Sequence, residues 1–130
     1  MTVKKLTLTD LIKEKEKYQV KKDVKEELFI SRLDASITIC KPERSLCLES
    51  FQMANDNEQS YKADAFIVYN IVVEPNLKDE KLHKEFGCVE PIDIVEKIFE
   101  IGEITQIAKA GLELAGYSDG VGKVKDLKNS

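Results

Sequence analysis

Phe66-Ile67-Val68-Tyr69-Asn70-Ile71-Val72-Val73 is the longest apolar run of the chain, interrupted only by Asn70, and two foldings compete for it. Its β-branched and aromatic residues favour a strand. Strict alternation fails at Ile67-Val68 and at Ile71-Val72-Val73, whereas Ala63, Phe66, Ile67, Asn70, Ile71 and Glu74 recur at helical spacing. The spacing predicts a buried central helix over residues 60–74. The run is far shorter than the ~18 apolar residues that span a bilayer, so a membrane is not an expected partner.

On the C-terminal side the triplet Val73-Glu74-Pro75 recurs as Val89-Glu90-Pro91, each copy followed by an acidic-basic-aliphatic triplet, Glu80-Lys81-Leu82 and Glu96-Lys97-Ile98. Proline at the first helical position loses no hydrogen bond, and its fixed φ suits the turn. Helices are therefore predicted to start at Pro75 and at Pro91. The first continues as a polar helix over 78–86, ended by Gly87. The second runs to about Phe99 and buries Ile94, Val95, Ile98 and Phe99. Gly102 then separates it from an amphipathic helix over 103–116 carrying Ile104, Ile107, Ala108, Gly111, Leu112 and Ala115 on one face.

On the N-terminal side, Thr7 with Asp10 three residues on forms a capping box for a helix reaching about Tyr18. Leu8, Leu11 and Ile12 give it one narrow apolar edge, while Lys13-Glu14-Lys15-Glu16-Lys17 alternates in sign, so docking on its own domain is the simpler expectation. In residues 24–41 the period changes to two, with Leu28 and Ile30, then Ile37 and Ile39, flanking Leu33-Asp34-Ala35-Ser36. This reads as a β-hairpin. Lys41-Pro42-Glu43 opens a further helix, with Cys47, Phe51 and Ala54 on one face, ending near Asn55-Asp56-Asn57.

The expected fold is mainly α (α+β), with about five helices and one β-hairpin near the N-terminus. Residues 1–116 are expected to form one globular domain and residues 117–130 a flexible C-terminal tail. A lone hairpin leaves edges that a second copy could cover, so a homo-oligomer is an expected state.

The chemistry classes can be weighed in turn. His83 with Cys40, Cys47 and Cys88 would make a three-cysteine, one-histidine set, but six and four residues intervene within the pairs, looser than structural zinc knuckles. Cys40 reads instead as a strand residue and Cys47 as a core residue. Gly116-Tyr117-Ser118-Asp119-Gly120-Val121-Gly122-Lys123 has one residue too many for a phosphate loop, Val124 in place of Ser or Thr, and a helix before it where a strand should be. No nucleophile, base and apolar cleft converge, so the expectation is no catalytic, cofactor-binding or metal residue and no enzyme. Residues 1–34 hold 9 Lys/Arg against 7 Asp/Glu, whereas residues 42–103 hold 6 against 14, and such an acidic centre argues against a nucleic-acid surface. Three cysteines without the spacing of a secreted scaffold, after a start lacking an apolar leader, point to the cytoplasm.

From Tyr69 to Tyr117 the chain resembles the XkdN-like phage tail assembly chaperone family of prophages and phage-like elements in Gram-positive bacteria. The residues that carry the likeness are Val72-Val73-Glu74-Pro75-Asn76-Leu77, Glu90-Pro91-Ile92-Asp93-Ile94-Val95, Lys97-Ile98-Phe99, Gly102-Glu103-Ile104 and Leu114-Ala115-Gly116-Tyr117. Leu6-Thr7-Leu8-Thr9-Asp10-Leu11 and the Lys41-Pro42 opening extend it over nearly the whole chain. The resemblance implies a non-enzymatic assembly factor of the host cytoplasm that binds the tape measure protein and helps tail tube subunits polymerise around it. It also implies that a longer form could arise by ribosomal slippage, with which Leu127-Lys128-Asn129 is compatible. A structural component retained in the tail, or a small adaptor protein, are the alternatives.

Overall fold

The structure is a computed structural model and describes residues 2–128. In chain order the elements are α1 (Leu8–Lys13), α2 (Lys15–Tyr18), β1 (Lys25–Ile30), β2 (Ala35–Cys40), α3 (Arg44–Asn55), α4 (Ala63–Ile71), β3 (Val72–Glu74), α5 (Glu80–Glu85), α6 (Ile94–Ile98), α7 (Ile101–Leu114) and α8 (Val124–Lys128). Short 3-10 turns occupy Ser31–Leu33, Ser60–Lys62 and Pro91–Asp93. The α+β class is as expected, but the described residues hold eight α-helices where about five were expected, and a third strand joins the hairpin. The chain divides into two compact units, residues 23–118 and residues 2–22 together with 119–128.

In the larger unit the sheet is antiparallel with order β1-β2-β3. β1 and β2 pair from Lys25 opposite Cys40 to Ile30 opposite Ala35, so the hairpin stands as read. Its turn closes on Asp34 at φ +48°, a left-handed conformation that the short polar side chain of Asp tolerates. Period two puts Ile30, Ile37 and Ile39 on the buried face. β3 covers the other edge of β2, with Ile39 opposite Val72 and a register shift beside Thr38, leaving β1 and the short β3 as the outer strands.

The central apolar run is helical only through Ile71. Ala65, Ile67, Val68 and Ile71 are buried as α4 packs on α3, α6 and α7. Beyond Ile71 the prediction fails, because Val72–Glu74 is extended and pairs with β2. That pairing also overturns the predicted helix start at Pro75. The Glu74–Pro75 peptide is cis, and the chain turns through residues 75–78, where the Asn76 carboxamide oxygen accepts from the Lys78 N–H at 3.1 Å. The cap of α5 is Asp79, whose carboxylate accepts from the Leu82 N–H at 3.0 Å. Gly87 at φ +65° ends that helix region as expected.

Pro91 does open a helical turn, which runs into α6 and buries Ile94, Val95 and Phe99. α7 begins at Ile101, one residue before Gly102, since the break falls at Phe99 and Glu100. Gly111 faces Ile71 so closely that a Cβ there would collide with Ile71 Cδ1. Gly116 at φ +92° ends α7, and the Tyr117 N–H donates back to Leu112 O at 3.0 Å. In α3, Pro42 is buried one position before the cap residue Glu43, so it precedes the helix. Cys47 and Ser50 are its buried residues, whereas Ala54 is exposed.

In the smaller unit the Thr7 box forms in both directions, each bond 3.1 Å long, and holds the Asp10 carboxyl below its usual range. Glu14 leaves helical geometry at φ −118°, which divides the predicted helix into α1 and α2. Leu8, Leu11 and Ile12 are exposed. Val124–Lys128 is a short helix, while the Asn129 of the proposed slippage run lies outside the described residues.

Candidate functional site

The residues weighed for chemistry stay apart or serve the fold. Cys47 is buried in α3, and burial pushes its thiol pKa up, opposite to what a reactive thiolate needs. His83 sits on α5 with Nε2 2.6 Å from Leu77 O and its ring 6.5 Å from that of Tyr69. Among the described residues no group of three or more His, Cys, Asp or Glu is placed to hold a metal ion. Nor is any helix there long and apolar enough to cross a membrane. Gly116, first of the glycines compared with a phosphate loop, serves as the left-handed stop of α7.

What the fold does build is a surface with two clefts inside the larger unit. The first, of about 550 Å³, opens between the Ser60–Lys62 turn with the start of α4 and the corner joining α6 to α7. Buried Ala65, Phe99 and Ile104 form its floor, and Tyr61 and Ile101 stand at it 69% and 85% exposed. Asp64, Glu96 and Glu100 bring carboxylates, against Lys97. A second cleft of about 410 Å³ lies between β1 and α7, lined by Leu28, Phe29, Gln106 and Ala110 among others.

Arg32 lines both clefts and fixes the corner between them. Its guanidinium donates to the Glu103 carboxylate at 3.1 Å and 3.0 Å and to Ile98 O at 2.6 Å. A planar fork meeting a carboxylate on two nitrogens has the geometry of a strong pair. Arg32 accordingly holds the Glu103 carboxyl below its usual range, helped by the Glu100 N–H at 2.8 Å, while the Arg32 pKa is raised by the same partner. The pair ties the hairpin turn to the first turn of α7. It also occupies the one arginine lining the cleft, whose charge still acts on Glu100, so Asp64 and Glu96 are left facing Lys97.

A surface of this kind, both apolar and charged, is one that can hold another chain. The family model for the phage XkdN-like tail assembly chaperone protein matches residues 8–128. The chain belongs to that family. A search of curated proteins and of solved structures finds no match to it. The motifs that carried the resemblance are architectural: Val72-Val73-Glu74 is β3, Leu77 is buried, Asp93 caps a helix and Glu103 holds Arg32. Sequence reasoning missed Arg32, Tyr61 and Ile101. Glu103 lay inside a recognised motif, but its partner is 71 residues away and nothing local marks it.

Proposed function

We propose that this protein is a phage tail assembly chaperone that binds the tape measure protein and assists tail tube subunits to assemble around it, without a chemical step. The family match over residues 8–128 carries the reading. Physical chemistry supports it: a long helical tape measure exposes apolar stripes, and a small acidic protein with apolar surface can cover them while keeping the complex soluble. The protein acts in the cytoplasm of the host cell, as a homo-oligomer covering the β1 edge. Nucleic acid and membrane have no part in this reading.

Co-expression with a tape measure protein from the same genome tests the proposal. The expected result is a soluble complex that survives gel filtration, with the chaperone missing from finished tails. If the tape measure protein is equally soluble alone and never co-purifies, the reading fails. Stoichiometric recovery from purified tails would instead make the protein a retained structural component.

A further inference from the structure

We infer that the cleft between Tyr61 and Ile101 is a docking groove for an amphipathic helix of a partner protein, one that carries Lys or Arg beside its apolar stripe. That the partner is a long helical chain rests on the chaperone reading, whereas the groove can be tested without that partner.

Three observations point to this occupant. Tyr61 and Ile101 leave large apolar surfaces in water beside a floor of buried Ala65, Phe99 and Ile104, which is the arrangement that receives apolar anchors spaced three or four residues apart on a helix. The carboxylates of Asp64, Glu96 and Glu100 face the same space, and among the described residues neither Asp64 nor Glu96 has a salt-bridge partner. Arg32 is hydrogen-bonded to Glu103 and to Ile98 O, and among these three carboxylates its charge acts on Glu100, which leaves Asp64 and Glu96 to a partner. Lys97 remains as a single opposing charge. Residues 23–118 as a whole hold 10 Lys/Arg against 19 Asp/Glu, so the long-range field also attracts a basic segment.

The groove is pre-organised as well. α4 is buried along its core face, and Arg32 pins the α6–α7 corner from outside, so binding need not order the backbone. An acidic or neutral helix would bury its stripe equally well but meet carboxylates with no cation to offer. A second copy of this chain is disfavoured as occupant by the excess of negative charge on residues 23–118.

Two synthetic helical peptides of about 20 residues, identical in apolar stripe and flanked by Lys in one and Glu in the other, provide the probe. Titrated into the full chain with fluorescence detection, the Lys-flanked peptide is expected to bind at least ~10-fold more tightly. Tyr61→Ala with Ile101→Ser should weaken it by about tenfold or more, since exposed anchors dominate such contacts. Asp64→Lys with Glu96→Lys should remove the preference for the Lys-flanked peptide. All four positions are exposed, and an unchanged circular dichroism melt shows that the variants fold. Val89→Ser, at a residue 94% exposed elsewhere, is the control and should change nothing.

Equal binding of the two peptides, or binding unmoved by both double variants, overturns the groove. Wild-type dimerisation that Ile101→Ser abolishes would assign the cleft to a second copy and overturn it also. If the peptides behave as expected while the tape measure protein is never captured, the groove stands and the chaperone reading alone falls.

Discussion

Val73-Glu74-Pro75 and Val89-Glu90-Pro91 have the same three residues and opposite structures. In the first copy the valine and glutamate finish a strand, and the proline opens a turn. In the second the glutamate caps a helical turn with the proline at its first position. Proline permits both, since it needs only an extended residue before it and fixes only its own φ. The neighbours decide. Val72 lies opposite Ile39 of β2, so the first copy is held by a partner distant in sequence. Asp93 reaches back to the Glu90 N–H at 2.9 Å and the Val89 N–H at 3.1 Å, so the second is held from within. A short motif thus sets where the chain must be extended, and the groups around it choose between strand and helix.

The contrast predicts different costs for loosening the two copies. Ile39 is fully buried beneath the pairing that holds the first, and Ile39→Ala should cost about 2–5 kcal/mol through lost burial and the cavity left behind. Against a typical stability of about 5–15 kcal/mol this is a large fraction, so the whole larger unit should unfold earlier in urea. A loss below about 1 kcal/mol would mean that β3 is not anchored on the core. Asp93→Ala removes the local hold on the second copy and should cost about 1 kcal/mol, as helix caps do. Hydrogen exchange should then quicken at residues 89–95 and stay unchanged at 72–74. Equal quickening at both would erase the distinction between a tertiary and a local hold.

The same distinction explains what could be read from the sequence. The hairpin, the Thr7 capping box, the turn at Pro91, the stop at Gly87 and the buried face of α7 all rest on periodicity or on groups within four residues, and each is found where its residues stand. The strand at Val72–Glu74 was hidden because the helical spacing of α4 runs into it without a break, and its partner β2 lies more than thirty residues earlier. The cleft was hidden for the same reason. Tyr61 from one turn, Ile101 from the start of α7 and Arg32 from the hairpin come together only once α4 and α7 have packed. An exposed isoleucine beside a glutamate has no local signature, so this cleft could not be read from the sequence.

Glu103 combines the two modes, and it supplies the smallest predicted effect. Like Asp93 it reaches back three residues, to the Glu100 N–H, and like β3 it depends on a distant group, Arg32 in the hairpin turn. Both hold its carboxyl below the usual 4.5, and a depressed carboxylate binds its proton more readily in the unfolded chain than in the folded one. Its contribution is therefore complete above the ordinary carboxylate pKa and is lost as pH falls through the lower folded value. Glu103→Gln keeps the shape of the side chain and removes the titration. Urea midpoints of the two proteins should differ at pH 7, with the wild type higher, and should converge as pH falls below 4.5. The pair is partly open to solvent through Arg32, so the gap at pH 7 should be small and should narrow in high salt. Arg32→Gln should close most of the same gap. If the difference persists unchanged at low pH, it does not come from the charge of Glu103, and the ion pair with Arg32 adds nothing to the hold on this corner.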